Sequence, residues 1–417
     1  MSVRSSIATL AISALLAQAQ TPIQTGLPMA KAETVGMSTE RLQRVHAFMQ
    51  DYIDTDQIAG SVTLIARHGK IVHYEAQGWR YKEEKAQMEK DAIFSLMSMT
   101  KPIVSTALMM LWEDGKFMLD DPISKWLPAY SKMMVKDGAV GTVPAVRPIT
   151  IRNILTHTSG LTLQAGNRPK TLMENIERSA VLPLNFQPGD KWEYGASTDY
   201  VAALVEKISG KTIDEFVRTR IFEPMGIRDT YYNIPKEKVS RVAAVYRPDR
   251  NNNNKIALAR KPEYHEPTAY FPGVAGLNGT AADYFRFCQM ILNGGEYNGH
   301  RILGRMTVDM MFTNQIGTGK PVYIRGAGYG FGLGGAVLTD PSKAPDALSI
   351  GTWTWGGADG TLFWIDPVED LIGIMMIQIN PYSHFNIRPL FSVVVSQAIT
   401  DSLAGQKPKI MGYDTPR

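Results

Sequence analysis

The side chains best suited to chemistry begin at Ser98-Met99-Thr100-Lys101, the only Ser-x-x-Lys in the chain. Residues three apart on a helix share a face one turn apart, so the Lys101 amine can reach the Ser98 hydroxyl. Serine becomes a useful nucleophile when a base takes its proton, and a lysine serves as that base where burial strips its own. Ser98 opens an apolar helical run, where unpaired N–H groups and the helix dipole favour developing negative charge. Pro102 suits a first helical turn and no interior one. Taken alone, the pair also fits a helix cap followed by a solvated lysine.

Two further stretches carry chemical potential. In Gln187-Pro188-Gly189-Asp190-Lys191-Trp192-Glu193-Tyr194, Pro188-Gly189 is a turn and Tyr194 precedes the helical run Tyr200 to Val205. A tyrosine at such a loop–helix junction can point its phenol into a cleft and relay a proton beside an ammonium, or simply pack. In Trp353-Thr354-Trp355-Gly356-Gly357-Ala358-Asp359-Gly360-Thr361, paired glycines let the backbone approach a ligand closely just before a strand. The Ala358 N–H there could join the Ser98 N–H as an oxyanion hole.

The order and spacing of the three pieces resemble the serine β-lactamase-like superfamily, the fold of class C β-lactamases and penicillin-binding proteins. Nearer still is the look of the family VIII carboxylesterases. Leu119-Asp120-Asp121-Pro122, the run Ile149 to Leu161 containing Thr156-His157-Thr158-Ser159-Gly160, and Gly276 to Tyr284 match the same phrasing. The resemblance extends from Ser38 to Ile399. It implies a Ser98 nucleophile, Lys101 as base or proton shuttle, and Tyr194 as the partner that protonates the leaving group. It further implies an oxyanion hole from Ser98 and Ala358, with Trp355, Gly356 and Gly357 lining the substrate side.

Two departures bear on the substrate. β-Lactamases carry a lysine where this chain has Trp355, and an asparagine two residues after the tyrosine where it has Ala196. Each change removes polar recognition, and a lost charge-assisted pair costs about 1.5–3 kcal/mol. Apolar contact at Trp355 favours uncharged acyl groups. The expected activity is therefore hydrolysis of carboxylic esters with short to medium acyl chains. A β-lactamase, a D-amino-acid peptidase or an acyltransferase would use the same Ser-Lys-Tyr site.

The elements that must position these groups are legible in the pattern. Ser38 caps a helix carrying Leu42, Val45, Phe48, Met49, Tyr52 and Ile53. Ser61 to Ala66 and Ile71 to Tyr74 flank a His68-Gly69-Lys70 turn as a hairpin. Short helices fill the middle, with Asn251 to Asn254 as a solvated loop tip. Strands return at Thr361–Ile365 and Leu371–Ile377, and a last helix is expected over Pro389–Leu403. This order predicts an α+β fold: one antiparallel sheet flanked by helices, assembled from both ends of the chain, with a mostly helical insert. The expected division is 30–96 with 276–403 as the sheet domain and 97–275 as the helical one, the site lying at their seam.

Bulk properties narrow the class. With 44% apolar and 20% charged residues the chain is globular, and no run is long enough to span a membrane. A net charge of +4 without basic clusters argues against a nucleic-acid groove. Arg4, the apolar run Ile7–Ala17 and Ala17-Gln18-Ala19 read as a cleavable signal peptide over residues 1–19, which implies a periplasmic or secreted protein. The single cysteine, Cys288, lies in an apolar helical pattern and reads as a buried thiol. No His-Glu-x-x-His occurs, nor the Gly-x-Ser-x-Gly of an α/β-hydrolase, and no metal or cofactor is implied. His157 reads as structural, and Trp353 and Trp364 suit either a pocket wall or packing.

Overall fold

The computed structural model describes residues 26–138, 141–164, 169–403 and 407–412. The signal segment expected over 1–19 lies outside the described residues. Helix α1 (Thr39–Asp54) starts where its cap demands, the Ser38 hydroxyl accepting the Arg41 N–H. Strands β1 (Gly60–Arg67) and β2 (Lys70–Tyr81) pair antiparallel across His68 and Gly69, both in the left-handed region that a two-residue hairpin requires. A short β3 (Ala86–Gln87) completes that edge.

The rest of the sheet comes from the C-terminal third: β4 (Tyr329–Phe331), β5 (Ala336–Leu338), β6 (Trp353–Gly356), β7 (Leu362–Asp366) and β8 (Leu371–Met376). The order is β4-β5-β6-β7-β8-β1-β2-β3, so the central β8–β1 pair joins segments some 300 residues apart. Strands β1, β7 and β8 are buried along their whole length, as expected of strands covered on both faces. Successive side chains of β7 identify the covers. Phe363 meets Tyr284 of the helix Ala281–Leu292, and Trp364 meets Phe391 of the helix Ile387–Ser396. Trp364 fits only because Gly373 stands opposite it in β8, where a Cβ would lie 2.1 Å from the indole.

Between the two halves lie the remaining helices. Helix α2 (Thr100–Glu113) is buried from Thr100 to Leu111, the pattern of a core helix, and packs on α3 (Ser197–Ser209). No described helix is long and apolar enough to cross a membrane. Cys288 is fully buried, and burial pushes its thiol up.

Two features differ from expectation, and one open question is resolved. The last helix covers Ile387–Ser396 rather than Pro389–Leu403, because the chain turns at Gln397 and Ile399 bridges to Met37 beside the cap of α1. Strands β4 and β5 and the hairpins Met134–Asp137/Gly141–Pro144 and Val245–Asp249/Lys255–Arg260 lack a clean alternating signal. Asn251 to Asn254 form the tip of the second hairpin. Trp353 and Trp364 are both packing residues of the core.

Candidate active site

Ser98 occupies a single 3₁₀ turn, Met97–Met99, immediately before α2. Met97 holds φ at +46°, a conformation that costs a side-chain-bearing residue energy and that tends to mark functional turns. The turn is fixed from below: the Thr100 hydroxyl accepts the Leu277 N–H and the Leu96 N–H reaches the Leu277 carbonyl. Lys101, one helical turn on, is 3% exposed. Its Nζ lies 3.0 Å from Ser98 Oγ and donates to the Val274 carbonyl at 2.7 Å.

Val274 is itself held. Its N–H donates to Asp199 Oδ1 at 3.0 Å, so one residue, through its two flanking peptides, links the lysine to a buried carboxylate on α3. Burial raises the Asp199 carboxyl to about 6, against the pull of the Val274 and Gly273 N–H groups and of the Lys101 charge. Close packing of this loop depends on Gly273, where a Cβ would lie 2.1 Å from the Thr198 carbonyl oxygen.

Tyr194 stands at the loop leading into α3, and Lys101 Nζ sits over its ring, 4.7 Å from the centroid. The phenol oxygen accepts the indole N–H of Trp355 at 3.2 Å. His157 packs against the same ring at 4.9 Å, and its carbonyl accepts the Glu193 N–H one residue before Tyr194. The imidazole is buried, which pushes it well below its ordinary range, and the Lys101 charge acts in the same direction. His157 is a neutral wall that positions the tyrosine.

The third stretch forms the first strand and the turn of a hairpin, and the turn lies just ahead of a strand as expected. Trp353–Gly356 is strand β6, and Gly357 to Thr361 bend into β7. Of the four residues of β6, neighbouring β5 pairs only with Trp353 and Thr354, because Gly334-Gly335 carry the chain away toward α2. The edge of Trp355–Gly356 therefore faces the cleft. At Gly357 a Cβ would meet the Leu96 carbonyl oxygen at 2.4 Å, so the bend presses directly on the segment that carries Ser98.

Ser98, Tyr194, Trp355, Gly356, Gly357 and Ala358 line one open cleft of about 290 Å³. Every site residue expected from the sequence that faces substrate thus shares it, with Lys101 behind Ser98. The cleft is completed by groups the sequence did not point to: Ile324, Arg325, Asn380, Pro381, Tyr382, Ser383 and Arg388. Two of these are cations, so replacing the β-lactamase lysine with Trp355 does not leave the cleft without positive charge. Arg325 pairs with Asp346 at 3.3 Å. Arg388 donates to the carbonyls of Gly357 and Thr361 and to the Tyr382 hydroxyl. A signal for Arg388 existed, since it is the only charged residue in the apolar helix Ile387–Ser396. Asp199 and Val274 had none, because an aspartate in a first helical turn reads as a cap.

Comparison with known proteins identifies the family. The family model described as Beta-lactamase matches residues 45–391. Protein Rv1367c of Mycobacterium tuberculosis is 32% identical over 365 residues, covering 80% of this chain and 89% of its own. Esterase EstB of Burkholderia gladioli is 32% identical over 353 residues, covering 78% and 86%. Among solved structures, EstCE1, described as a hydrolase with promiscuous acyltransferase activity, superposes with a TM-score of 0.72 at 26% identity, over 87% of this chain and 98% of that one. With a family model matching most of its length and relatives at 32% identity over about four-fifths of it, the chain belongs to the beta-lactamase family.

Proposed function

We propose that this protein is a serine carboxylesterase that hydrolyses esters with short to medium acyl chains through an acyl-enzyme on Ser98. The observation that carries the reading is the 3.0 Å contact between Lys101 Nζ and Ser98 Oγ at the floor of a cleft that also holds Tyr194 and Ala358. Ser98 Oγ attacks the ester carbonyl carbon while Lys101 takes its proton. The resulting oxyanion lies against the N–H groups of Ser98 and Ala358. Collapse breaks the C–O bond to the alcohol, which leaves with a proton from Tyr194, and Tyr194 recovers one from Lys101. Water then attacks the acyl-enzyme by the reverse proton route, releasing the acid and restoring Ser98.

The walls support an apolar acyl group: Trp355, Ile324, Pro381 and Tyr382 supply carbon surface around the entry. The name Esterase EstB supports ester hydrolysis, and the description of EstCE1 as a hydrolase fits it. Transfer to an alcohol acceptor is the second reading, favoured by the wording for EstCE1. Weak β-lactam turnover through the same serine is also proposed. So are export to the periplasm or medium by the segment 1–19, and the division into 30–96 with 276–403 and 97–275.

Side-by-side assays with p-nitrophenyl butyrate and a chromogenic cephalosporin test the substrate class. Fast ester turnover with slow or absent lactam turnover is expected, and the opposite pattern overturns the esterase reading. Added methanol yielding methyl ester in place of acid would identify transfer.

A further inference from the structure

Arg388 is a cation 9% exposed, carried by an otherwise apolar helix, and its hydrogen bonds among the described residues run to two carbonyls and a phenol rather than to a carboxylate. A buried charge must be balanced by strong hydrogen bonds, and its acceptors here are specific. Nη2 donates to the carbonyl oxygens of Gly357 and, at 2.7 Å, of Thr361; Nη1 donates to Tyr382, whose ring lies 3.6 Å under the guanidinium carbon. Gly356 makes room for it, since a Cβ there would fall 2.8 Å from the guanidinium.

The carbonyl of Gly357 and the N–H of Ala358 belong to one peptide unit. That peptide is trans, so its C=O and N–H point in opposite directions. A cation on the carbonyl oxygen fixes the plane of the peptide, draws electron density from its nitrogen and strengthens the N–H as a donor. The Gly360 N–H, 3.0 Å from the same oxygen, acts in the same sense. We infer that Arg388 is a positioning residue for the oxyanion hole: by holding the Gly357 carbonyl it aims and polarises the Ala358 N–H at the oxygen that becomes negative in the transition state. This rests on the serine-esterase reading above, and it assigns catalytic work to a residue that need not touch substrate.

The test combines steady-state kinetics with infrared spectroscopy of the acyl-enzyme, using a p-nitrophenyl ester labelled with carbon-13 at the carbonyl. Wild type must first form that acyl-enzyme on Ser98; failure there counts against the esterase reading itself. Given a wild-type adduct, Arg388→Met is expected to lower kcat by roughly 10- to 100-fold, part of the 10²–10³ cost of losing a whole oxyanion donor, with KM changed far less. Its acyl carbonyl stretch should rise in frequency, because a weaker donor polarises the carbonyl less; loss of packing alone would not move that band. Arg388→Lys keeps the charge without the two-carbonyl fork and serves where the methionine variant does not fold. It should lower kcat by a smaller factor and shift the band the same way. Wild-type kcat and an unshifted carbonyl band in the folded variant overturn the inference.

Discussion

The indole N–H of Trp355 donates to the phenol oxygen of Tyr194 across 3.2 Å, joining two segments 161 residues apart in the sequence. Where β-lactamases carry a lysine, this chain places a neutral donor on the tyrosine. The phenol oxygen thus has one lone pair engaged while Nζ of Lys101 faces the ring. Trp355→Phe keeps an aromatic wall and removes only that donor. Its kcat for p-nitrophenyl butyrate should fall about tenfold, in line with one neutral hydrogen bond lost. Tyr194→Phe, which removes the proton carrier itself, should cost roughly 10²–10⁴. Equal losses in the two variants would contradict the separate roles.

Lys101→Ala should abolish the base while leaving the fold. The expected loss in kcat is on the order of 10²–10⁴. Because the amine also donates to the Val274 carbonyl, the loop around Val274 should loosen, and amide exchange of that segment reports it. Unchanged kcat in this variant is incompatible with the Ser98–Lys101 mechanism.

Asp199 sets a pH dependence whose sign follows from its raised carboxyl. The native state holds the proton more tightly than the unfolded chain, so this group's stabilisation is complete below pH 4 and is lost as pH rises through about 6. The fall is on the order of 3 kcal/mol. Asp199→Asn should flatten the stability curve between pH 4 and 6 relative to wild type, measured by urea midpoints. Parallel curves for the two proteins would exclude a titrating Asp199.

Gly357→Ala and Gly373→Ala separate site from scaffold. An alanine Cβ at Gly357 meets the backbone oxygen of Leu96, and one at Gly373 meets the Trp364 indole. Both should destabilise by about 1–3 kcal/mol. Only Gly357→Ala should also lower kcat per folded molecule, because Leu96 precedes the turn carrying Ser98. Activity measurements at a temperature well below both melting points distinguish them.

Much of this molecule can be read before folding, and the limits have physical causes. Cap and periodicity signals mark α1, the β1–β2 hairpin and the helix after Ser98, because their apolar positions repeat locally. Strands β4 and β5 are three residues each, too short to show alternation. The last helix stops early because Ile399 pairs with Met37, a long-range bridge that no local pattern encodes. At the site, Ser98, Lys101 and Tyr194 stand out by residue type and spacing. Val274 contributes only its backbone to Lys101, and any residue type presents a carbonyl there. Arg388 acts through the Gly357 carbonyl, so its partner is equally silent in the sequence.

The most direct test is intact-mass and peptide mapping of the protein quenched in acid during turnover of p-nitrophenyl butyrate. One butyryl group on the peptide containing Ser98, absent from Ser98→Ala, is the expected result. A butyryl group on another residue, or turnover that survives in Ser98→Ala at the wild-type rate, contradicts a covalent mechanism at this serine.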